Sequence, residues 1–238
     1  MNKVRVAYFA GCTVNYNMPE VGIATVEILE RNGLIPLLTD QKCCGVLSWN
    51  SGRSASFRKY AEFNVKGLAE TGCDIITSCP TCLHVLKHEY PKILKDLNPG
   101  TAPLRIFDTF EYLYTLKRQG ALNTDFRPVR KSVSYHIPCH LKAMGNDLID
   151  YRLDLLGSIP GLSITPLSSG CCGMGGTFGL KRNNCEMSLE IGKPLIEEIN
   201  KTAPDLVATD CLGCNLQIKH ITRMNVIHPV LLLREAYK

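Results

Sequence analysis

The chain has 238 residues, 45% hydrophobic and 21% charged, a balance that excludes disordered and fibrous classes and leaves room for one large domain or two lobes with cores of their own. Its net charge of +5 comes from Lys and Arg scattered along the sequence, which argues against a nucleic-acid-binding role. No run of 18 or more apolar residues occurs, which excludes a transmembrane helix, and the opening MNKVRVAYFAGC lacks the long apolar stretch of a signal peptide.

Residues 4–10, VRVAYFA, are β-branched and aromatic and predict a central strand running into Gly11-Cys12. Pro19-Glu20 opens a helix with apolar positions Val21, Ala24, Val26, Ile28 and Leu29, closed by Gly33. LIPLL (34–38) predicts a second strand, followed by a Cys43-Cys44-Gly45 loop. A longer helix is expected over 54–71, strand CDIITS (73–78) delivers Cys79, and Cys82 begins the helix LHVLKHEYPKIL. NPGTAP (98–103) reads as a turn cluster, and IFDTFEYLYTLKRQG after it has helical periodicity with Asp108 near its start.

LNTDFRPVRK (122–131) is the most loop-like stretch and the best boundary, giving lobes 1–121 and 122–238. The order then repeats. Strand SVSYHIP (132–138) carries Cys139, a helix near 146–157 leads to strand LSITPL (162–167), and Gly170-Cys171-Cys172-Gly173 follows. A glycine-rich loop GMGGTFG, a helix over 185–200, strand DLVATD (205–210) and Cys211-Leu212-Gly213-Cys214 entering the last helix complete the repeat. The tail VIHPVLLLREAYK is expected to dock on the second lobe. Such alternation predicts an α/β fold of two pseudo-symmetric lobes, each with a small, mainly parallel sheet and its cysteines at the C-terminal ends of the strands, where ligands gather.

Ten of the twelve cysteines form two sets of five: Cys12, Cys43, Cys44, Cys79 and Cys82, then Cys139, Cys171, Cys172, Cys211 and Cys214. Cys12 to Cys139 spans 127 positions, Cys43 to Cys171 spans 128 and Cys79 to Cys211 spans 132, which marks an internal duplication. A chain of this size folds on its own core and does not need five bridges, so thiolate ligands in a reducing compartment are expected rather than disulfides. Zinc or a cubane [4Fe-4S] cluster takes four ligands, and five thiols overfill either. Adjacent cysteines in extended chain point to opposite faces, so each pair needs a tight loop or must bind different irons. Gly45 and Gly173 supply the backbone freedom for such a loop. A bridging thiolate in an open, non-cubane cluster would use the fifth sulfur; zinc would leave one cysteine per set spare.

These two frames resemble the duplicated cysteine-rich CCG domain found in heterodisulfide reductase, over nearly the whole chain. Locally, VAYFAGCTVNYNMPEVG, FDTFEYL, LNTDF and HPVLLLREAY are similar to the C-terminal module of an anaerobic glycerol-3-phosphate dehydrogenase subunit, and CCGMGGTFGLK both to that module and to the lactate-utilisation iron–sulfur protein of the LutA type. The resemblance implies an iron–sulfur electron-transfer subunit of an oxidoreductase complex. All ten cysteines would hold two non-cubane [4Fe-4S] clusters, with zinc in one site as the alternative. It implies a flavoprotein dehydrogenase or ferredoxin-like partner, a quinone or disulfide as acceptor, and a cytoplasmic location with any contact at the inner membrane face made through a partner. A catalytic, disulfide-reducing role and a non-redox zinc module stay open. No CxxCxxCxxxCP run is present, so cubane clusters would come from another polypeptide.

Outside the frames, Cys73 and Cys185 read as small buried hydrophobes. His136 and His140 flank Cys139 and read as structural, with a donor to a cluster sulfide or a proton relay conceivable for His140. His84 and His88 share a helix face at i,i+4 but lack the Glu of a zincin. Gly173-Met174-Gly175-Gly176 lacks the Lys-Ser/Thr of a phosphate loop and is expected to shape the pocket. Trp49 is either a shield for the first site or core.

Overall fold

Parallel pairing governs both halves of the chain. The computed structural model describes residues 4–95 and 104–237, and the turn cluster expected over 98–103 lies outside them. The chain divides into two compact units, the first ending at Thr124 and the second starting at Asp125. The first contains β1 (Val4–Tyr8), α1 (Gly11–Tyr16), α2 (Pro19–Arg31), β2 (Leu34–Leu38), α3 (Val46–Asn50), α4 (Ser54–Ala69), β3 (Asp74–Thr77), α5 (Pro80–His84), α6 (Tyr90–Ile93), β4 (Ile106–Asp108) and α7 (Thr109–Arg118). A wide π turn over Val85–Glu89 joins α5 to α6. It lies just before Pro91, which has no N–H to donate to the Lys87 carbonyl.

The second unit contains β5 (Lys131–Tyr135), α8 (Cys139–Lys142), α9 (Asp147–Gly157), β6 (Leu162–Pro166), α10 (Cys185–Thr202), β7 (Leu206–Ala208), α11 (Leu212–Thr222), β8 (Val226–Ile227) and α12 (Pro229–Ala236). The sheets run β2-β1-β3-β4 and β6-β5-β7-β8. Every pair is parallel. The fold is therefore α/β and duplicated. Val4 pairs with Leu34 and Val6 with Asp74; Lys131 pairs with Leu162 and Val133 with Leu206. Those registers repeat at the same 127, 128 and 132 spacings as the cysteines, so each cysteine leaves its strand at the same point in both units.

Each sheet buries an aliphatic cluster against its helices. In the first unit Val6, Leu29, Leu34, Ile76 and Tyr112 pack together. In the second, Leu195, Ile199, Val207, Ile218 and Val226 form a cluster that also contains Cys172, Met174 and Cys214. Full burial of one such aliphatic side chain contributes about 1.5–3 kcal/mol, so the core fixes the sulfurs it surrounds.

Several short elements were not expected. Residues 106–108, read as the start of a helix, form the edge strand β4; Ile106, Phe107 and Phe110 fit helical spacing by chance, and three residues are too few to show a period of two. Asp108 is instead the cap of α7: its Oδ1 accepts from the Phe110 and Glu111 N–H groups at 2.7 and 3.4 Å, and Glu111 Oε2 accepts from the Asp108 N–H at 3.0 Å. In the second unit His228 Nδ1 accepts from the Val230 N–H at 3.1 Å ahead of α12. That last helix packs on α9, the Arg127 N–H donates to the Ala236 carbonyl at 2.8 Å, and Phe126 meets Tyr237 with ring centres 4.9 Å apart, so the tail docks on the second unit.

Candidate metal centres

In the first unit, Cys12 lies in the first turn of α1, Cys43 and Cys44 lead into α3, and Cys79 caps α5 with Cys82 inside it. Cys12 Sγ and Cys43 Sγ are 3.3 Å apart. From there the sulfurs form a chain: Cys43 interacts with Cys44, Cys44 with Cys82, and Cys82 with Cys79. All five converge. Gly45 makes the turn, with φ +83°, and its N–H donates to Cys43 Sγ at 3.4 Å. Behind the loop, Asn64 of α4 donates from Nδ2 to the Cys43 carbonyl at 3.2 Å and to Tyr90 Oη at 2.9 Å, while the Tyr90 hydroxyl donates to the Cys44 carbonyl at 3.0 Å. The loop's carbonyls are thus satisfied by the scaffold, away from the sulfurs. Gln41 ties the loop to the strand, accepting from the Gly11 N–H at 3.0 Å and donating to the Tyr8 carbonyl at 3.2 Å.

In the second unit Cys139 starts α8, Cys171 and Cys172 follow β6, and Cys211 caps α11 with Cys214 inside it. Cys171 interacts with Cys172, Cys172 with Cys214, and Cys214 with Cys211; Cys139 feels the charges of Cys211 and Cys172. Gly173 has φ +88° and donates its N–H to Cys171 Sγ at 3.4 Å, the same turn as in the first unit. The loop is held differently. A Cβ on Gly192 of α10 would lie 2.6 Å from the Cys172 carbonyl, so loop and helix pack backbone to backbone. Ser188 of α10 donates to the Gly173 carbonyl at 2.9 Å and accepts from Gln217 Nε2 at 3.1 Å. Met174 packs close to Gly213 and the Cys211 turn, which is how the glycine-rich loop shapes this pocket.

Charge is unevenly shared within each set. The Cys44 thiol is held down to about 5 by hydrogen bonds first from Cys43 and then from Cys82, and Cys82 is pushed well up by Cys44 and Cys79 in turn. Cys12 is raised by Cys43 and by burial. Cys172 is held far below the thiol range by Cys171 and Cys214, whereas Cys171 and Cys214 are pushed above it. Within each set the proton is therefore held least firmly on one inner sulfur, Cys44 or Cys172, because neighbouring thiols donate to it. Such a donor set suits a thiophilic metal centre, and binding would release the remaining protons.

The second site is the more exposed. Cys139 and Cys171 reach solvent, while Cys12 and Cys43 are half-buried. Glu198 of α10 steadies the approach to Cys171: its Oε1 accepts from the Ser168 N–H and hydroxyl at 3.0 and 2.9 Å, and its Oε2 from the Ser169 N–H at 2.8 Å and from the Ser169 hydroxyl. Those bonds, Ser169 first, hold its carboxyl down to about 2 from 4.5. A depressed carboxyl stabilises the loop above its ordinary range and loses that effect as pH falls through about 2. In metal-free protein the Ser168 and Ser169 amide resonances are expected to titrate with a midpoint near 2 and to show no such step in Glu198→Gln; a midpoint near 4.5 would mean the loop is open in solution.

Residues outside the frames sort differently. Cys73 and Cys185 do not form part of the buried core: Cys73 is half-buried with its thiol on the Thr71 carbonyl at 3.2 Å, and Cys185 is exposed at the start of α10, because both sit at element ends rather than on inward faces. His84 and His88 stack at 5.1 Å, and His84 Nε2 faces Glu89 Oε1 at 3.5 Å. Trp49 packs on Phe57 at 4.9 Å, beneath the Gly45 turn. The buried Tyr135–Asp210–Arg152 network was not singled out from sequence, though Asp210 directly precedes Cys211. Tyr135 donates to Asp210 Oδ2 at 2.6 Å, Arg152 Nε donates to Oδ1 at 3.0 Å, and Arg152 Nη1 donates to the Leu148 carbonyl at 2.7 Å. Against burial, Arg152, His228 and Tyr135 keep the Asp210 carboxyl below its usual range. In the first unit Tyr8 hydrogen-bonds Ser78 at 2.7 Å, just before Cys79, and Thr25 takes the place of Arg152, bonding the Val21 carbonyl at 2.8 Å.

Among proteins of known sequence, an anaerobic glycerol-3-phosphate dehydrogenase subunit of Escherichia coli (strain K12) is 38% identical over 239 residues, 98% of this chain and 59% of that protein. A fumarate reductase (CoM/CoB) subunit of Methanothermobacter marburgensis is 34% identical over 90% of this chain and 42% of its own length. The chain thus spans about three-fifths or less of these relatives. A crystal structure of a hypothetical protein from Helicobacter pylori shares the fold, with a TM-score of 0.66 at 13% identity, over 100% of this chain and 50% of that one. The cysteine-rich CCG domain model matches twice, over residues 6–87 and 133–219, the two segments that carry the converging sulfurs. The chain therefore belongs to the CCG cysteine-rich domain family, with two copies of its domain.

Proposed function

We propose that this protein is the iron–sulfur electron-transfer subunit of a larger oxidoreductase, with one non-cubane [4Fe-4S] cluster in each unit. The observation that carries the reading is the convergence of five sulfurs, at equivalent positions, in both units. Cys12, Cys43, Cys44, Cys79 and Cys82 would hold one cluster, and Cys139, Cys171, Cys172, Cys211 and Cys214 the other. When bound, such clusters supply one-electron transfer. The protein's own residues do the rest: the Gly45 and Gly173 turns aim N–H groups at the sulfurs, and the aliphatic cores exclude water from the inner cysteines. With the boundary between residues 121 and 124, each lobe would carry a complete site.

Relatives named as parts of a glycerol-3-phosphate dehydrogenase and of a fumarate reductase support a place within a complex. We assign the donor to a flavoprotein or ferredoxin-like partner and the acceptor to a quinone or a disulfide, with membrane contact, where it occurs, made by a partner. A second reading, in which the second centre itself reduces a disulfide, is favoured by the exposure of Cys139 and Cys171, which leaves that side of the site open to a substrate.

Metal analysis tests the assignment. Protein purified without oxygen is expected to hold about eight irons with matching sulfide, two clusters of four, and Cys79→Ala/Cys82→Ala to hold about half as much. Zinc in both units, without visible absorbance, would overturn the electron-transfer reading in favour of a structural module.

A further inference from the structure

The two sites are not equivalent, and the difference is concentrated at one residue. Phe9 and His136 occupy matching places, 127 positions apart, each one residue beyond its central strand. Their backbones are held alike: the Phe9 N–H donates to the Ile76 carbonyl at 2.8 Å and the His136 N–H to the Ala208 carbonyl at 2.9 Å. Both side chains are sealed from solvent, Phe9 at 0% and His136 at 1% exposure. Where the first unit places a hydrocarbon ring, the second places an imidazole.

Neither His136 ring nitrogen has a hydrogen-bond partner in the protein. Burying an unpaired polar group costs about 1–3 kcal/mol, and the first unit shows that a phenyl ring fills this place without that cost. The nitrogen therefore needs a partner that it does not reach at hydrogen-bonding distance in the metal-free protein. One lies beside it: a His136 ring nitrogen and the Cys172 and Cys214 sulfurs are all within 4.8 Å of one another.

We propose that His136 directs a ring N–H at the Cys172 sulfur when the second centre is loaded, and so gives the two centres different reduction potentials. The inference rests on the iron–sulfur reading above. It makes His136 a positioning residue rather than a ligand, because five thiols already fill the site. A donor to a cluster-bound sulfur stabilises the more electron-rich, reduced state and raises the potential. The first unit, with Phe9 at the matching place, has no such donor there. Electrons entering the chain would then collect on the second centre, which is also the one with exposed cysteines.

The test uses the full chain, prepared without oxygen, carrying Cys79→Ala and Cys82→Ala so that every paramagnetic signal belongs to the second unit. His136→Phe copies the residue of the first unit, and His136→Gln keeps an N–H donor. The parent is expected to show an imidazole nitrogen coupling in pulsed EPR that disappears in His136→Phe, with iron and sulfide retained. The potential of the second centre should also fall in His136→Phe by at least a tenfold change in the reduced-to-oxidised ratio, about 59 mV for one electron, with partial recovery in His136→Gln. Loss of iron from His136→Phe but not from His136→Gln would equally support the nitrogen's role. Full iron content with unchanged potential and no nitrogen coupling in the parent would overturn the inference and leave the iron–sulfur reading intact. Loss of iron from both variants would overturn it in favour of a packing role. A parent protein without iron or sulfide would remove the iron–sulfur reading and this inference with it.

Discussion

Asp210→Ala is expected to destabilise the second unit by about 3–5 kcal/mol, the cost of leaving a buried charge without its partner. Arg152 and the Asp210 side chain are both 0% exposed, and their 3.0 Å contact is the centre of the network under the Cys211 turn. Removing the carboxylate takes from the guanidinium its charged partner and from the Tyr135 hydroxyl its 2.6 Å acceptor, both inside the core. Chemical denaturation followed by circular dichroism reads the loss. Replacing the pair together, as Arg152→Met with Asp210→Ala, should recover much of the stability, because a buried ion pair is worth little over well-packed hydrocarbon. The first unit provides the contrast: Ser78→Ala removes a neutral hydrogen bond at the equivalent place and should cost about 1 kcal/mol. An Asp210→Ala loss below that of Ser78→Ala would show that water reaches the network.

Gly173→Ala is expected to cost about 2–5 kcal/mol, combining about 1–2 for a Cβ at left-handed φ with about 1–3 for overpacking. At this position a Cβ would overlap the Ser188 carbonyl, which is backbone of the first turn of α10 and cannot swing aside as a side chain can. Gly45→Ala makes the same turn strained, with φ +83°, but its Cβ would meet the rings of Phe57 at 2.9 Å and Tyr60 at 3.0 Å, and rings can shift by a few tenths of an ångström. The smaller cost, about 1–2 kcal/mol, is therefore expected in the first unit. Thermal or denaturant unfolding of the metal-free proteins measures the stability difference, and metal content per unit measures its consequence. Equal losses at the two glycines would mean that α10 yields as readily as an aromatic ring.

Much of the fold was legible because duplication made each half a check on the other. The strand–cysteine–helix order around Cys12 and Cys139 repeats at a fixed spacing, and a parallel α/β sheet brings such strand ends to one side whatever the side chains between them. Gly45 and Gly173 could be read as residues able to make a tight turn, one of the two ways in which adjacent cysteines can serve one cofactor, and both do make it, with φ +83° and +88°. What escaped the sequence was short or buried. β4, β8, α1, α3 and α8 are too brief to display a period. Cys73 and Cys185 are the usual type for a core, but their places at element ends put them outside it.

The sequence by itself determined the duplication, the two sets of five thiols and the parallel architecture, since each is written in spacing and local pattern, which survive without knowledge of long-range contacts. Only the tertiary structure decided that Asn64 and Tyr90 hold one cysteine loop through side-chain hydrogen bonds while Gly192 holds the other by backbone contact. It also decided that Tyr135, Asp210 and Arg152 join in one buried network and that His136 faces sulfur. These depend on side chains from separate elements meeting in a core, where burial turns a neutral or charged group into a strong constraint, and no local pattern encodes that encounter.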